Sequence, residues 1–237
     1  MAVLERTLAD ADALPAALAA SVADDLRAAI AQRGQASLVV SGGRSPVPFF
    51  TALRRADVDW SKVWITLADE RWVPPSAADS NERLLREHLL IDGAAAARFI
   101  GLKSAFDTPE TGLAATRAAL AAIPRPFDVV VLGMGEDGHT ASLFPGAAGL
   151  AQALDVANAD VVAAITPLTA PHPRITLTLA ALLDARRLVL PLSGAAKLAV
   201  YRAAVATDGD PLLRPIAAVL QQRRVPVEVW IVDTAVV

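Results

Sequence analysis

The chain contains no cysteine, which excludes in one step a disulfide framework, a thiolate metal site and a cysteine nucleophile. Histidine is scarce as well. His88, His139 and His172 are the three in 237 residues, and they are scattered, so a histidine-rich zinc site is not expected. Nor is there an excess of positive charge: 22 Lys and Arg against 25 Asp and Glu leave a formal net charge of −3. Nucleic-acid phosphates demand a basic face, so nucleic acid is not an expected partner. Uncharged apolar runs stop short of the roughly 18 residues a spanning helix needs, because Pro, Gly or a charge interrupts each one, and no membrane partner is expected. The opening MAVLERTLADADALP lacks a basic start followed by an apolar block, so it does not read as a secretory signal. A reducing, cytoplasmic setting is the expectation.

Apolar residues are what the chain has in plenty. The hydrophobic fraction is 54% and the charged fraction 20%, above the ~45–50% apolar share of ordinary globular chains, which excludes intrinsic disorder. Much of the surplus is alanine, which reads as helix formation and close packing of small residues.

Short β-branched runs alternate with longer helical stretches. Val3 to Leu8 reads as an edge strand. Leu14 to Gln32 has apolar residues at helical spacing (Leu18, Val22, Leu26, Ile30), and Gly34 is a natural stop. A buried strand at Ser37–Val40 runs into Ser41-Gly-Gly-Arg-Ser-Pro46, where Pro46 suits the first turn of a helix because its missing N–H would be unpaired there anyway. Lys62–Leu67 reads as the next strand, and Ser80 as the cap of the helix that follows. A brief strand is expected at Arg98–Ile100, a helix from Pro109, and the clearest strand of all at Phe127–Leu132. Later apolar runs (Val161–Ile165, Arg187–Leu190, Val227–Val232) alternate with helices near Leu179, Ala195–Ala206 and Pro215–Gln221. Nearly continuous hydrophobic strands separated by helices imply a sheet covered on both faces. The expected fold is α/β: a Rossmann-like open, mostly parallel sheet with helices on both faces. No linker or repeat divides it, so one domain is expected over residues 1–237.

In such sheets ligands bind beyond the carboxyl ends of the strands. Three post-strand loops concentrate polar residues there. Ser41, Gly42, Gly43, Arg44 and Ser45 open a helix; paired glycines admit a ligand close to the backbone, and free N–H groups at a helix start favour an anion such as a phosphate. A tight turn with no ligand is the alternative. Asp69-Glu70-Arg71 places carboxylates and a guanidinium at a strand exit, as a pocket wall or as a surface ion cluster. Gly133-Met-Gly-Glu-Asp-Gly138 matches G-x-G-x-x-G in form, but little more than one helical turn fits before Pro145-Gly146, which argues against a dinucleotide site. That loop offers instead Asp137 and His139. Two residues apart, they reach one ligand only if Gly138 bends the turn. A short helix is expected to begin here, and its positive end would disfavour imidazolium and leave His139 available as a general base; alternatively His139 packs the turn. Arg174 and Lys197, gathered with Arg44 near one glycine loop, would make an anion site in a net-acidic chain; taken singly, each reads as a solvated surface charge. His88 and His172 are not expected to take part.

Taken together and in this order, Ser41-Gly-Gly-Arg-Ser-Pro, Asp69-Glu-Arg-Trp-Val-Pro, Ser80-Asn81, Leu132-Gly-Met-Gly-Glu-Asp-Gly-His-Thr-Ala-Ser-Leu-Phe-Pro-Gly146, Arg174-Ile-Thr-Leu-Thr-Leu and Gly194-Ala-Ala-Lys197 resemble the 6-phosphogluconolactonase family. The resemblance runs through almost the whole chain. It implies hydrolysis of 6-phospho-D-glucono-1,5-lactone to 6-phosphogluconate, a step of the oxidative pentose phosphate pathway, with no metal or redox cofactor. The implied partner is that small phosphosugar lactone, and the chain is expected as a monomer or weak homo-oligomer. By the same likeness His139 activates water, Asp137 sets its geometry, and Arg71 faces either the developing oxyanion or the phosphate. Arg174, Lys197 and the Ser41–Ser45 loop would hold the phosphate, with Asp69 and Gly138 also in the binding site. Arg44 departs from the small hydroxyl residue often found at its place. A similar family, the amino-sugar-phosphate isomerase/deaminases, has a glutamate where this chain has Phe144 and a tyrosine where it has Arg71. Both departures count against ring-opening chemistry. A sugar-phosphate sensor domain is the non-catalytic alternative, and no basic helix-turn-helix segment precedes the domain.

Overall fold

In the computed structural model, which describes residues 3–206 and 209–232, the chain begins with β1 (Leu4–Leu8), α1 (Leu14–Arg33), β2 (Ala36–Val40), α2 (Val47–Leu53) and β3 (Val63–Leu67). It continues through β4 (Asp69–Arg71), α3 (Asn81–His88), β5 (Arg98–Ile100), α4 (Pro109–Leu120) and β6 (Val129–Val131). The last part holds α5 (Leu150–Leu154), β7 (Val162–Ile165), β8 (Arg174–Leu177), α6 (Leu179–Leu182), β9 (Leu188–Leu192), α7 (Ala195–Val205), α8 (Ile216–Gln221) and β10 (Val227–Val232). The expected domain limits, Met1 and Val237, lie outside the described residues.

Seven strands form one parallel sheet in the order β1-β10-β9-β6-β2-β3-β5. Every residue of β2 and of β6 is buried, as both-face cover by helices requires. Each fully buried Leu, Val or Ile there contributes roughly 1.5–3 kcal/mol. The charged β1, Leu-Glu-Arg-Thr-Leu, sits at the sheet's edge with most of its residues exposed.

From β2 the chain winds outward through β3 to β5, then returns to β6 on the other side of β2 and winds the opposite way through β9 and β10. Beyond the carboxyl ends of β2 and β6 the outgoing chains therefore diverge and leave a crevice. The two loops that border it are tied together: Ser41 N–H donates to the Val131 carbonyl (3.0 Å), and Gly133 N–H to Ser41 Oγ (3.1 Å).

Two features depart from the sequence reading. Asp69–Arg71 is a short strand, not a loop, and pairs antiparallel with β8, which pairs with β7 in a second, three-stranded sheet. The strand read at Phe127–Leu132 shortens to Val129–Val131, and no helix follows it: residues 133–149 are turns and isolated bridges. Left-handed backbone at Gly138, Ala141 and Gly146, with Pro145 between the last two, stops helical propagation. Without a helix there is no dipole at His139 and no helix N-terminus to take a pyrophosphate.

Candidate active site

The crevice is a cleft of about 650 Å³. Ser41, Gly42, Gly43, Ser45, Asp69, Arg71, His139, Arg174 and Lys197 line it, over an apolar floor that includes Phe49, Phe50 and Met134. Three expected residues lie elsewhere. Arg44 is exposed and outside the lining, while Asp137 and Gly138 sit behind His139.

Period-two alternation explains the wall built by β4 and β8. Asp69 and Arg71 project to one side of β4 and Glu70 to the other. Arg71 is the register partner of Arg174, and Asp69 of Thr176, so two guanidinium groups stand side by side facing the cleft. Arg71 Nη1 donates to the Asp79 carbonyl (2.6 Å) and Arg174 Nη2 to the Pro171 carbonyl (3.1 Å). The Nε groups of both are buried without a partner among the described residues. Burial, and next the neighbouring charge of Arg71, hold the Arg174 guanidinium below its ordinary range, although it stays protonated at neutral pH. Two like charges, each with an unused donor, make a ready anion receptor.

Asp69 is 6% exposed, and its Oδ2 accepts from Ser142 Oγ at 2.5 Å. Its carbonyl accepts from Asn81 Nδ2 at 2.9 Å. Asn81 also presses on the glycine loop: a Cβ at Gly42 would lie 2.0 Å from Asn81 Oδ1, so the absence of a side chain there is a packing requirement. Neither Asn81 nor Ser142 was singled out by the sequence as a site residue. Asn81 stands next to a helix cap and Ser142 lies within an apolar run; both fall inside the motifs that carry the family resemblance, which was the signal that could have found them.

Gly138 (φ 80) bends the turn that joins Asp137 to His139. Asp137 Oδ1 lies 2.6 Å from His139 Nδ1 and also accepts the His139 N–H (3.1 Å). His139 lines the cleft and Asp137 does not, so the imidazole forms part of the wall and the carboxylate backs it. With Nδ1–H donating to the Asp137 carboxylate, the Nε2 lone pair is left free, which is the arrangement of an oriented base. This replaces the helix dipole invoked from the sequence. The His139 ring also stacks on Phe144, with centroids 4.3 Å apart. Lys197, in the first turn of α7, and Ser193 also line the cleft. His88 lies on α3, away from the lining, and His172 pairs with Asp79 at 3.1 Å.

Known proteins resemble this chain over most of its length. A family model described as Glucosamine-6-phosphate isomerases/6-phosphogluconolactonase matches residues 9–230. A 6-phosphogluconolactonase of Rhizobium meliloti (strain 1021) is 47% identical over 220 residues, covering 91% of this chain and 94% of that protein. One of Pseudomonas putida is 48% identical over 219 residues, covering 92% and 90%. The crystal structure of a 6-phosphogluconolactonase from Shewanella baltica OS155 superposes with a TM-score of 0.94 at 48% identity, covering 98% of each chain. With a model matched over most of its length, and relatives near half identity that share its fold from end to end, the chain belongs to the glucosamine-6-phosphate isomerase/6-phosphogluconolactonase family.

Proposed function

We propose that this protein hydrolyses 6-phospho-D-glucono-1,5-lactone to 6-phosphogluconate. The observation that carries the reading is the oriented Asp137–His139 pair opening on the same cleft as Arg71, Arg174 and Lys197. The near-half-identical 6-phosphogluconolactonases support it. Arg71 and Phe144 stand where the isomerase/deaminase chemistry would call for a tyrosine and a glutamate, so the ring-opening alternative lacks its proton carriers.

In this mechanism the substrate's phosphate binds Arg174, Lys197 and the loop of Ser41, Gly42, Gly43 and Ser45, which fixes the ring in an attackable pose. His139 Nε2 takes a proton from water as the water oxygen attacks the C1 carbonyl. Arg71, its Nη1 already held by a backbone carbonyl, faces the oxyanion that develops. The tetrahedral species collapses by breaking the C1–O5 bond, and the proton on His139 passes to the leaving ring oxygen. A cyclic ester needs no covalent nucleophile. We place the reaction in the cytoplasm, in keeping with a chain without cysteine.

The test is a coupled assay of freshly generated lactone beside glucosamine-6-phosphate, with wild type and His139→Ala. Wild type should accelerate the first substrate alone. His139→Ala should lose about 10²–10⁴-fold in kcat, the usual worth of a positioned base. Ammonia release from the amino sugar, or full lactone hydrolysis by the variant, would overturn the reading.

A further inference from the structure

Behind His139 the chain doubles back on itself. Thr140 and Leu143 pair in an isolated antiparallel bridge, and Ala141 between them is left-handed (φ 48). That reversal returns Phe144 to the imidazole five positions earlier, where the two rings stack at 4.3 Å with an interplanar angle of 30°. The same phenyl ring lies under the guanidinium of Arg174, whose Cζ is 5.6 Å from its centroid. Phe144 is half-buried, packed against the core and part of the cleft wall.

We propose that Phe144 is a positioning residue serving both halves of the site, its ring holding the imidazole of His139 and the guanidinium of Arg174 in fixed relation. Hydrogen bonds alone leave each group underdetermined, although Arg174 is also confined by burial. A side-chain hydrogen bond from Nδ1 to Asp137 fixes one point of the imidazole and leaves the ring free to swing about that contact; a flat face beside it removes the swing. Among the described residues Arg174 makes a single side-chain hydrogen bond, to Pro171, and its Nε has no partner. A phenyl face attracts a guanidinium without competing for the N–H donors that an incoming anion needs. An aliphatic side chain would fill the same space but supply neither the flat surface nor the quadrupole.

The kinetic readout rests on the lactone hydrolysis proposed above; the spectroscopic one does not. Phe144→Leu removes the face, Phe144→Met removes it with a more adaptable side chain, and Phe144→Tyr restores it. In the NMR spectrum of the wild-type protein, ring current from Phe144 should displace the His139 ring protons upfield of those of His88 and His172. Phe144→Leu and Phe144→Met should abolish that displacement and Phe144→Tyr keep it. With the lactone, the two aliphatic variants should lose about 3–10-fold in kcat and raise KM about 2–5-fold, with Phe144→Tyr within about twofold of wild type in both. Calorimetry with inorganic phosphate should show the same two- to fivefold weakening for the aliphatic variants.

Wild-type kcat and KM in a folded Phe144→Leu or Phe144→Met would overturn the proposal. So would a change in KM alone, or equal losses in Phe144→Tyr. If the wild type fails to hydrolyse the lactone, the functional reading falls, while the His139 shifts and the phosphate affinities still decide the role of Phe144.

Discussion

Arg71 and Arg174 are register partners on adjacent strands, yet the proposed mechanism gives them different work, and single substitutions separate the two. Arg71→Ala should lower kcat by about 10²–10³-fold with little change in KM, as for loss of an oxyanion donor. Arg174→Ala should raise KM by about 10–100-fold, the worth of a hydrogen-bonded charge on a bound anion, with the smaller effect on kcat. Steady-state kinetics of both variants with the lactone check this; a reversed pattern would exchange the assignments. At this scale the sequence was informative wherever a residue type announces its chemistry. Asp137, His139, Arg71, Arg174 and Lys197 are all legible in that sense. Asn81 and Ser142 were not, because the contacts each makes with Asp69 form only on folding.

The element that organises the wall is the junction of β4 with α3. Glu70, fully buried on the far side of β4, accepts from the N–H groups of Arg71, Asn81 and Glu82 and from the Ser80 hydroxyl, at 2.7–3.0 Å. It thereby caps the first turn of α3, whose Asn81 reaches back to Asp69 and the glycine loop. Glu70→Ala leaves those donors buried without a partner, and urea denaturation should show a loss on the order of 3 kcal/mol or more. Burial pushes the Glu70 carboxyl up from its ordinary 4.5, against the pull of the three backbone N–H groups. The folded protein therefore holds this proton more tightly than the unfolded chain does. The resulting contribution to stability is fully present below the ordinary carboxylate range and fades as pH rises through the raised value. In Glu70→Gln that part of the pH dependence should vanish from a series of urea titrations between pH 4 and 7; an unchanged slope would contradict the assignment. Elements were the scale at which the sequence served best and also failed twice, at the strand Asp69–Arg71 read as a loop and at His139. α1, β2, α3 and α4 follow from apolar period, capping residues and proline placement. The helix expected at His139 did not form, because left-handed Gly138 and Ala141 and the Pro145-Gly146 pair leave no stretch long enough to propagate.

For the whole molecule, the cleft couples ligand to stability. An anion that binds the folded state alone stabilises it by about 2.7 kcal/mol at a hundred times its Kd. For a chain of this size that corresponds to a rise in Tm of roughly 5–10 °C. Differential scanning calorimetry with 6-phosphogluconate should record such a rise in the wild type and almost none in an Arg174→Ala, Lys197→Ala double variant. Equal shifts in both would place the anion site elsewhere.

The α/β class and the alternation of strands with helices were decided by the sequence alone, because apolar period, caps and breakers act within a few neighbouring residues. So was the candidacy of the three polar loops. The meeting of those loops was decided by the tertiary structure. Asp69 and Ser142 are 73 positions apart, and His139 shares its cleft with a wall from β4 and β8 that no local pattern announces. The divergence of the chain at β2 and β6 opens the cleft, and the antiparallel pairing of two three- and four-residue strands sets the arginines side by side. Such contacts depend on which strands become neighbours, a property of the assembled sheet rather than of any segment.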